Sequence, residues 1–362
     1  MSAEWRSVTG MRNLTWPQVL AWRMRRQFLL EPEEHGDPVV ITRRLAGVQA
    51  QVASAAAQAL VVRGAAPPGE AGRNGPTESG LVRTWAMRGT LHLLPRDDAP
   101  AYLALCATVR NWEKPSWTKA FGATPADLEA IAEAAREVLD GAALTREELA
   151  EAVLERTGSE HLRQALGSGW GTLLKPLAWW GVLCHGPSRG GKVTFTSPGL
   201  GEFPAVEEAA RVVLRAYLGA HGPATPLMFD NWLMRRTSRK SDVRRWFAAL
   251  DDELSAVDVE GEEMYALTSE LDGLLETAPT SAVRLLGPFD QYVLGAGTDA
   301  ARLIPPGRRP EVSRAAGWIA PVVLHQGRVA GTWDPQTGET SLWEEVPALL
   351  LRDELERWKR LA

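Results

Sequence analysis

The sequence predicts an α+β protein, mostly helical, built from three tandem winged-helix motifs and a small C-terminal β-rich domain. Three observations carry this. Stretches with helical spacing open on capping residues and are followed by a pair of apolar runs around a turn. That order occurs three times, over 10–120, 121–200 and 201–275. From Val283 the character changes to short alternating strands, which sets 276–362 apart.

In the first unit, Thr15-Trp16-Pro17-Gln18 reads as a helix start, with a Thr cap and Pro in the first turn. Val19, Leu20, Met24 and Phe28 keep helical spacing, so the helix is expected to reach about Leu30. Asp37-Pro38 caps a second helix through Leu45, and a third runs from about Ala53 to Val62. Ala65 to Gly80 is rich in Pro and Gly and reads as a loop. Val82 to Leu94 then reads as two short strands around Arg88-Gly89-Thr90. Three helices and a hairpin make a winged helix, an architecture that places a helix in the DNA major groove and a wing on the backbone.

The second unit opens with Thr124-Pro125 and continues with the capping box Thr145-Arg146-Glu147-Glu148. A third helix fits Gly167 to Trp180, and strands Gly181–Gly186 and Lys192–Ser197 flank a Gly-rich turn. The third unit has helices from about Ala205, from Thr225-Pro226 and from Ser241-Asp242, then strands Leu254–Val259 and Met264–Thr268. In the last segment, Gly317–Leu324, Arg328–Trp333 and Glu339–Trp343 read as a three-stranded meander, closed by a helix from about Pro347 to Leu361.

Net charge is −5, but it is unevenly spread. Residues 1–120 hold 15 Lys and Arg against 10 Asp and Glu, a net of +5, whereas 201–275 hold 8 against 14. A local phosphate-binding surface on an acidic protein fits this, as does a solvated basic face. Two cysteines, Cys106 and Cys184, form no disulfide framework and sit among apolar residues, so each reads as core in a reducing cytoplasm. No apolar run is long enough for a bilayer. The six histidines are scattered without ligand spacing, which argues against zinc, and no nucleotide-cradling Gly-rich loop or Gly-x-Ser-x-Gly run is present. No metal, nucleotide or other cofactor is expected.

The basic residues nominate contacts to nucleic acid. Arg43 and Arg44 precede Gly47-Val48-Gln49-Ala50-Gln51, and Arg83, Arg88 and His92 lie in the hairpin. Arg235, Arg236, Arg239 and Lys240 form the densest cluster, before the last helix of the third unit. His92, within Leu91 to Leu94, also reads as a core histidine. Gln49 and Gln51 admit two readings. One is an Ala-rich buried helix with two glutamines at its edge. In the other the helix breaks near Gly47 to Gln51, because residues i and i+2 share a side only on extended backbone.

Leu45-Ala46-Gly47-Val48-Gln49-Ala50-Gln51, then Arg83 to His92, His221-Gly222-Pro223-Ala224-Thr225, Leu286 to Tyr292 and Gly331-Thr332-Trp333 resemble, in that order, the AlkZ family of winged-helix DNA glycosylases. The resemblance runs from about Asn13 to the C-terminus. It implies a concave DNA-binding scaffold and hydrolysis of the N-glycosidic bond of N7-alkylguanine, in bulky adducts and interstrand crosslinks, within repair and antibiotic self-resistance. Double-stranded DNA carrying N7-alkylguanine is then the partner, met in the cytoplasm at the nucleoid. Gln49 and Gln51 match the family's Gln-x-Gln motif and carry over as catalytic. A noncatalytic winged-helix protein, a regulator or drug-binding protein, is the competing class. Repressors need a dimer interface matched to half-site spacing. Three non-identical units on one chain instead suit a monomer around a duplex.

Overall fold

A computed structural model describes residues 12–66, 80–166 and 171–361. The loop expected over Ala65 to Gly80 and the start of the helix expected from Gly167 fall largely or partly outside these residues. The N-terminal part contains β1 (Arg12–Leu14), α1 (Trp16–Arg26), α2 (Pro38–Arg44), β2 (Val48–Gln49), α3 (Ala53–Val61), β3 (Leu81–Trp85), β4 (Leu91–Pro95), α4 (Ala99–Ala107) and α5 (Pro115–Phe121). It is followed by α6 (Pro125–Val138), β5 (Ala143–Thr145), α7 (Arg146–Thr157), α8 (Leu162–Leu166), α9 (Leu174–Trp179), β6 (Cys184–His185) and β7 (Thr194–Thr196). The next stretch has α10 (Val206–His221), α11 (Pro226–Met234), α12 (Lys240–Ala248), β8 (Leu254–Val259), β9 (Glu262–Leu267) and α13 (Leu271–Glu276). The chain ends with β10 (Val283–Leu286), α14 (Gln291–Ala296), α15 (Arg309–Val312), β11 (Val322–His325), β12 (Arg328–Trp333), β13 (Thr340–Leu342) and α16 (Ala348–Leu361).

The strands form small sheets in the orders β2-β4-β3, β5-β7-β6, β1-β8-β9 and β10-β11-β12-β13. Each hairpin expected from sequence is present. Each small sheet also takes a strand that local pattern did not reveal: β2, β5 and β1 on the first three and β10 on the last. The outlying case is β1, which runs parallel to β8 with Arg12 opposite Val257. The N-terminal segment is therefore tied to a hairpin more than 240 residues away, and Trp16 donates its backbone N–H to Glu260 Oε1 at 3.0 Å. That bond satisfies the first turn of α1, and the Thr15 side chain makes no capping bond. The helix stops four residues earlier than expected, where Phe28 turns to φ 57°.

Capping boxes hold α6 through Thr124 and Asp127 and α7 through Thr145 and Glu148. One core runs from β3 and β4 through α4, α6, α7, α9, α10, α11 and α12. Its centre is aromatic, with Tyr217 edge-on to Phe229 at 5.3 Å between ring centres and Trp232 at 4.9 Å from Tyr217. Cys106 and Cys184 are buried, and desolvation pushes both thiols up to about 12. A second core fills the four-stranded sheet and takes Leu20 and Met24 from α1, Ala55 from α3 and Trp358 from α16. No helix among the described residues is long and apolar enough to cross a membrane.

One polar link crosses this second core. Arg63, just after α3, is fully buried and forks onto Asp290, with Nη1 on Oδ2 at 2.8 Å and Nη2 on Oδ1 at 2.7 Å. Its Nε and Nη1 also donate to the carbonyls of Gln27 and Ala59. Asp290 also caps α14 through the Tyr292 N–H. Every charge in the pair is matched, which is the condition for a buried ion pair to be tolerated. Asp290→Ala leaves the guanidinium buried and unpaired, and is expected to cost about 3–5 kcal/mol in urea unfolding. A loss under 1 kcal/mol shows the pair to be dispensable.

Three histidines are buried without charge. Desolvation first, then nearby arginines, push His92, His185 and His221 down to about 3. In the unfolded chain they take protons near pH 6.5, so they contribute stability above that pH and lose it as pH falls toward 3. Unfolding is expected to take up about three protons at pH 5.5 and almost none at pH 8, a slope near 4 kcal/mol per pH unit at the lower pH. Urea midpoints across pH 5–8 measure it, and a flat series contradicts the burial of neutral imidazoles.

Candidate active site

The glutamine segment begins where α2 ends. The Asp37 side chain caps the start of α2 by accepting the Val39 N–H at 2.7 Å. At the other end Ala46 and Gly47 both take positive φ, 56° and 96°. The Ala46 N–H returns to the Arg43 carbonyl and the Gly47 N–H to the Thr42 carbonyl at 2.9 Å, the double closure of a Schellman stop. The helix expected to break near Gly47 to Gln51 does so here. The chain leaves extended, with Val48 opposite Leu93, Gln49 opposite His92, and the Ala50 N–H on the Leu91 carbonyl at 2.7 Å.

Alternation then divides the side chains. Val48 and Ala50 are buried with Ile41, Leu45 and Ala56. Gln49 and Gln51 take the other side. Gln51 is exposed, whereas Gln49 retains 7% of its surface. The Gln51 Oε1 accepts the Leu91 N–H at a long 3.4 Å.

Beneath Gln49 lies Arg88, at φ 58° in the turn between β3 and β4. Its Nη1 donates to the Trp232 carbonyl at 2.7 Å, and Nη2 reaches Gln49 Oε1 at 3.4 Å and His92 Nε2 at 3.4 Å. His92 Nδ1 lies 2.9 Å from the Thr90 carbonyl. A carbonyl only accepts, so Nδ1 carries the proton and Nε2 presents its lone pair to Arg88. Burial, and then Arg235, lower the Arg88 guanidinium to about 10, so it is charged at neutral pH. His92, down at about 3, is neutral.

This bears on two expectations. Arg88 was expected to face DNA from the hairpin, and His92 was read either as a DNA contact or as a core histidine, of which its burial fits the second. Both side chains turn inward, because the positive-φ turn at Arg88 brings its guanidinium under β2 and onto α11, and His92 is fully buried. Arg83 is also diverted. It is half-buried, donates to the Ala50 carbonyl at 2.8 Å, and so fixes the residue between the two glutamines.

The remaining basic residues face outward to differing degrees. Arg43 is exposed and pairs with Asp98 at 2.7 Å, and Arg44 lies over the Phe28 ring at 5.2 Å. Arg235 ends α11 in left-handed backbone, exposed, and its charge is felt by Arg88 and Lys175. Arg236 pairs with Asp299, while Arg239 and Lys240 lie exposed at the start of α12. Among the described residues no hydrogen bond joins Arg236, Arg239 or Lys240 to the glutamine segment. Lys175 escaped the sequence reading. It sits in Leu174-Lys175-Pro176 with no local signal, and its Nζ lies 3.7 Å from where a side chain on Gly89 would begin.

The site therefore has two amides two residues apart and a half-buried cation behind one of them. Among the described residues no carboxylate enters its hydrogen bonds, and no group of three His, Cys, Asp or Glu could hold a metal ion. Such a set orients and polarises; near neutral pH it does not exchange protons.

Comparison with known proteins identifies the family. Residues 42–361 match the family model described as DNA glycosylase AlkZ-like. The chain is 48% identical over 326 residues to the interstrand DNA cross-link repair glycosylase of Streptomyces sahachiroi, covering 88% of each chain. The solved structure of the Streptomyces sahachiroi DNA glycosylase AlkZ superposes with a TM-score of 0.91 at 45% identity, covering 96% of this chain and 97% of that one. The chain belongs to the AlkZ-like DNA glycosylase family.

Proposed function

We propose that this enzyme hydrolyses the N-glycosidic bond of N7-alkylguanine in double-stranded DNA, with Gln49 and Gln51 as the catalytic pair. The observation that carries the reading is the pair itself: Gln49, which ends the two-residue strand β2, and Gln51, two residues further on, with no carboxylate hydrogen-bonded to either among the described residues. Family membership favours an enzyme over a noncatalytic DNA-binding protein. The name of the relative in Streptomyces sahachiroi, together with the 48% identity, supports interstrand crosslinks as substrates. Self-resistance to a DNA-alkylating natural product fits the same chemistry. The three helix-and-hairpin units, each with its own small sheet, serve as tandem winged helices along the duplex, with the four-stranded unit bracing them. The exposed cations Arg43, Arg235, Arg239 and Lys240, with Arg44 and Arg236, are assigned to the phosphate backbone.

The chemistry follows from the substrate's charge. An N7-alkylguanine is already cationic, so when the C1′–N9 bond breaks its electron pair neutralises the leaving base and no general acid is required. Positive charge moves to the deoxyribose. A water oxygen then bonds to C1′ and loses its proton to solvent. The protein must hold that water on the far face of the sugar and favour the developing charge with fixed dipoles. Gln51, exposed and with one carbonyl lone pair left beyond its contact to Leu91, is assigned to the water; Gln49 supports the nucleotide.

Gln51→Ala is expected to slow single-turnover release of N7-methylguanine about 10²-fold or more, the usual scale for one preorganised polar group. The assay is alkali-revealed strand cleavage of a duplex carrying a single N7-methylguanine. Full activity in the variant sinks the assignment. The rate is also expected to be flat between pH 6 and pH 9. His92 stays neutral above about 3 and Arg88 stays charged below about 10, so neither titrates in that window. A limb within it would reveal a general base or acid. A duplex carrying uracil, whose leaving base is neutral, is expected to remain intact.

A further inference from the structure

Among the described residues, Arg88 is the one cation hydrogen-bonded to a glutamine of the proposed pair, and it reaches Gln49 from the protein side. Its geometry is set elsewhere. The left-handed backbone at Arg88 aims the side chain inward, the 2.7 Å bond from Nη1 to the Trp232 carbonyl fixes one prong, and His92 Nε2 faces the other. Trp232 itself is locked in the aromatic core on α11. The guanidinium is therefore held by two elements other than the strand that carries Gln49.

A guanidinium can only donate, so the end of the Gln49 amide that meets it must be the oxygen. The orientation of a glutamine amide is otherwise ambiguous, because oxygen and nitrogen have the same shape. Here the neighbour removes the ambiguity. With Oε1 turned to Arg88, Nε2 with its two N–H groups is left for the nucleotide, polarised further by the charge behind it. We propose that Arg88 is a positioning residue that fixes the Gln49 amide with nitrogen outward, so that Gln49 donates to an oxygen of the sugar-phosphate of the target nucleotide while Gln51 alone serves the water.

The proposal rests on the assignment of Gln49 to the catalytic pair, and a double-mutant cycle separates the two claims. Arg88→Met, Gln49→Ala and the double variant are compared by single-turnover rate and by affinity for the N7-methylguanine duplex, with melting temperatures to confirm folding. If Arg88 acts through Gln49, Arg88→Met slows the rate about 10-fold or more, duplex affinity stays within about threefold, and the double variant is no slower than Gln49→Ala. Losses that multiply in the double variant overturn the positioning role while leaving Gln49 catalytic. Gln49→Ala at full rate overturns both claims. Gln49→Glu tests the donor assignment without disturbing Arg88. A carboxylate keeps the contact to the guanidinium and lacks the outward N–H, so it is expected to be as slow as Gln49→Ala. A Gln49→Glu enzyme at the wild-type rate removes the donor assignment.

Discussion

The site depends on the absence of a side chain at Gly47. At φ 96° this residue sits where a Cβ would meet Leu94 at 2.8 Å and Met87 at 3.0 Å, the first on β4 and the second in the hairpin turn. Only glycine lets the chain leave α2 and drop against the hairpin in one step. From that step follow the pairing of Val48 with Leu93, the alternation that buries Val48 and Ala50, and the common side taken by Gln49 and Gln51. The preceding residue bears part of the cost. Ala46 is also left-handed, a conformation that costs an L-residue roughly 1 kcal/mol. The Schellman bonds and complete burial of Ala46 hold it there.

A second constraint is electrostatic. Arg88 is half-buried under Gln49, and among the described residues its guanidinium meets a carbonyl, an amide oxygen and an imidazole lone pair but no carboxylate. Leaving a cation so weakly matched opposes stability. A structural role alone would be filled as well by an apolar side chain. Placed behind an amide proposed as catalytic, the same charge would bias which end of that amide is presented, and it adds to a positive zone with Lys175 and Arg235. The strain in the backbone and the imperfect charge matching thus fall at one place, where the proposed chemistry is.

Much of this was legible in the sequence. The Thr124-Pro125 start, the capping box at Thr145, the Asp37 cap and the turn between β8 and β9 are local signals, and the elements stand close to where they were expected. What was hidden is long-range. β1 and β5 are three-residue strands that exist only because a distant edge accepts them, at Val257–Val259 and Thr194–Thr196. β2 is shorter still. Arg88 was placed on the correct turn and given the wrong direction. Sequence marks a turn by Arg-Gly, but whether the arginine faces solvent or core is decided by what α11 offers, here the Trp232 carbonyl. Lys175 was missed because its relation to Gly89 exists only after folding.

The chemistry of the pair also bears on selectivity. Carboxylates would activate a water but would carry fixed negative charge into a groove that must accept phosphates, and burying them near Arg88 would form an ion pair rather than a free acceptor. Amides avoid both. They leave the surrounding cations free for the backbone and supply dipoles whose direction the protein sets. The limitation is that an amide cannot supply a proton, so the leaving base must arrive with its own positive charge. Alkylation at N7 supplies that charge whatever the size of the alkyl group. On this reading the enzyme recognises damage through the charge that damage creates. A shallow, exposed Gln51 beside a buried, clamped Gln49 suits this purpose, because it makes no demand on the shape of the adduct.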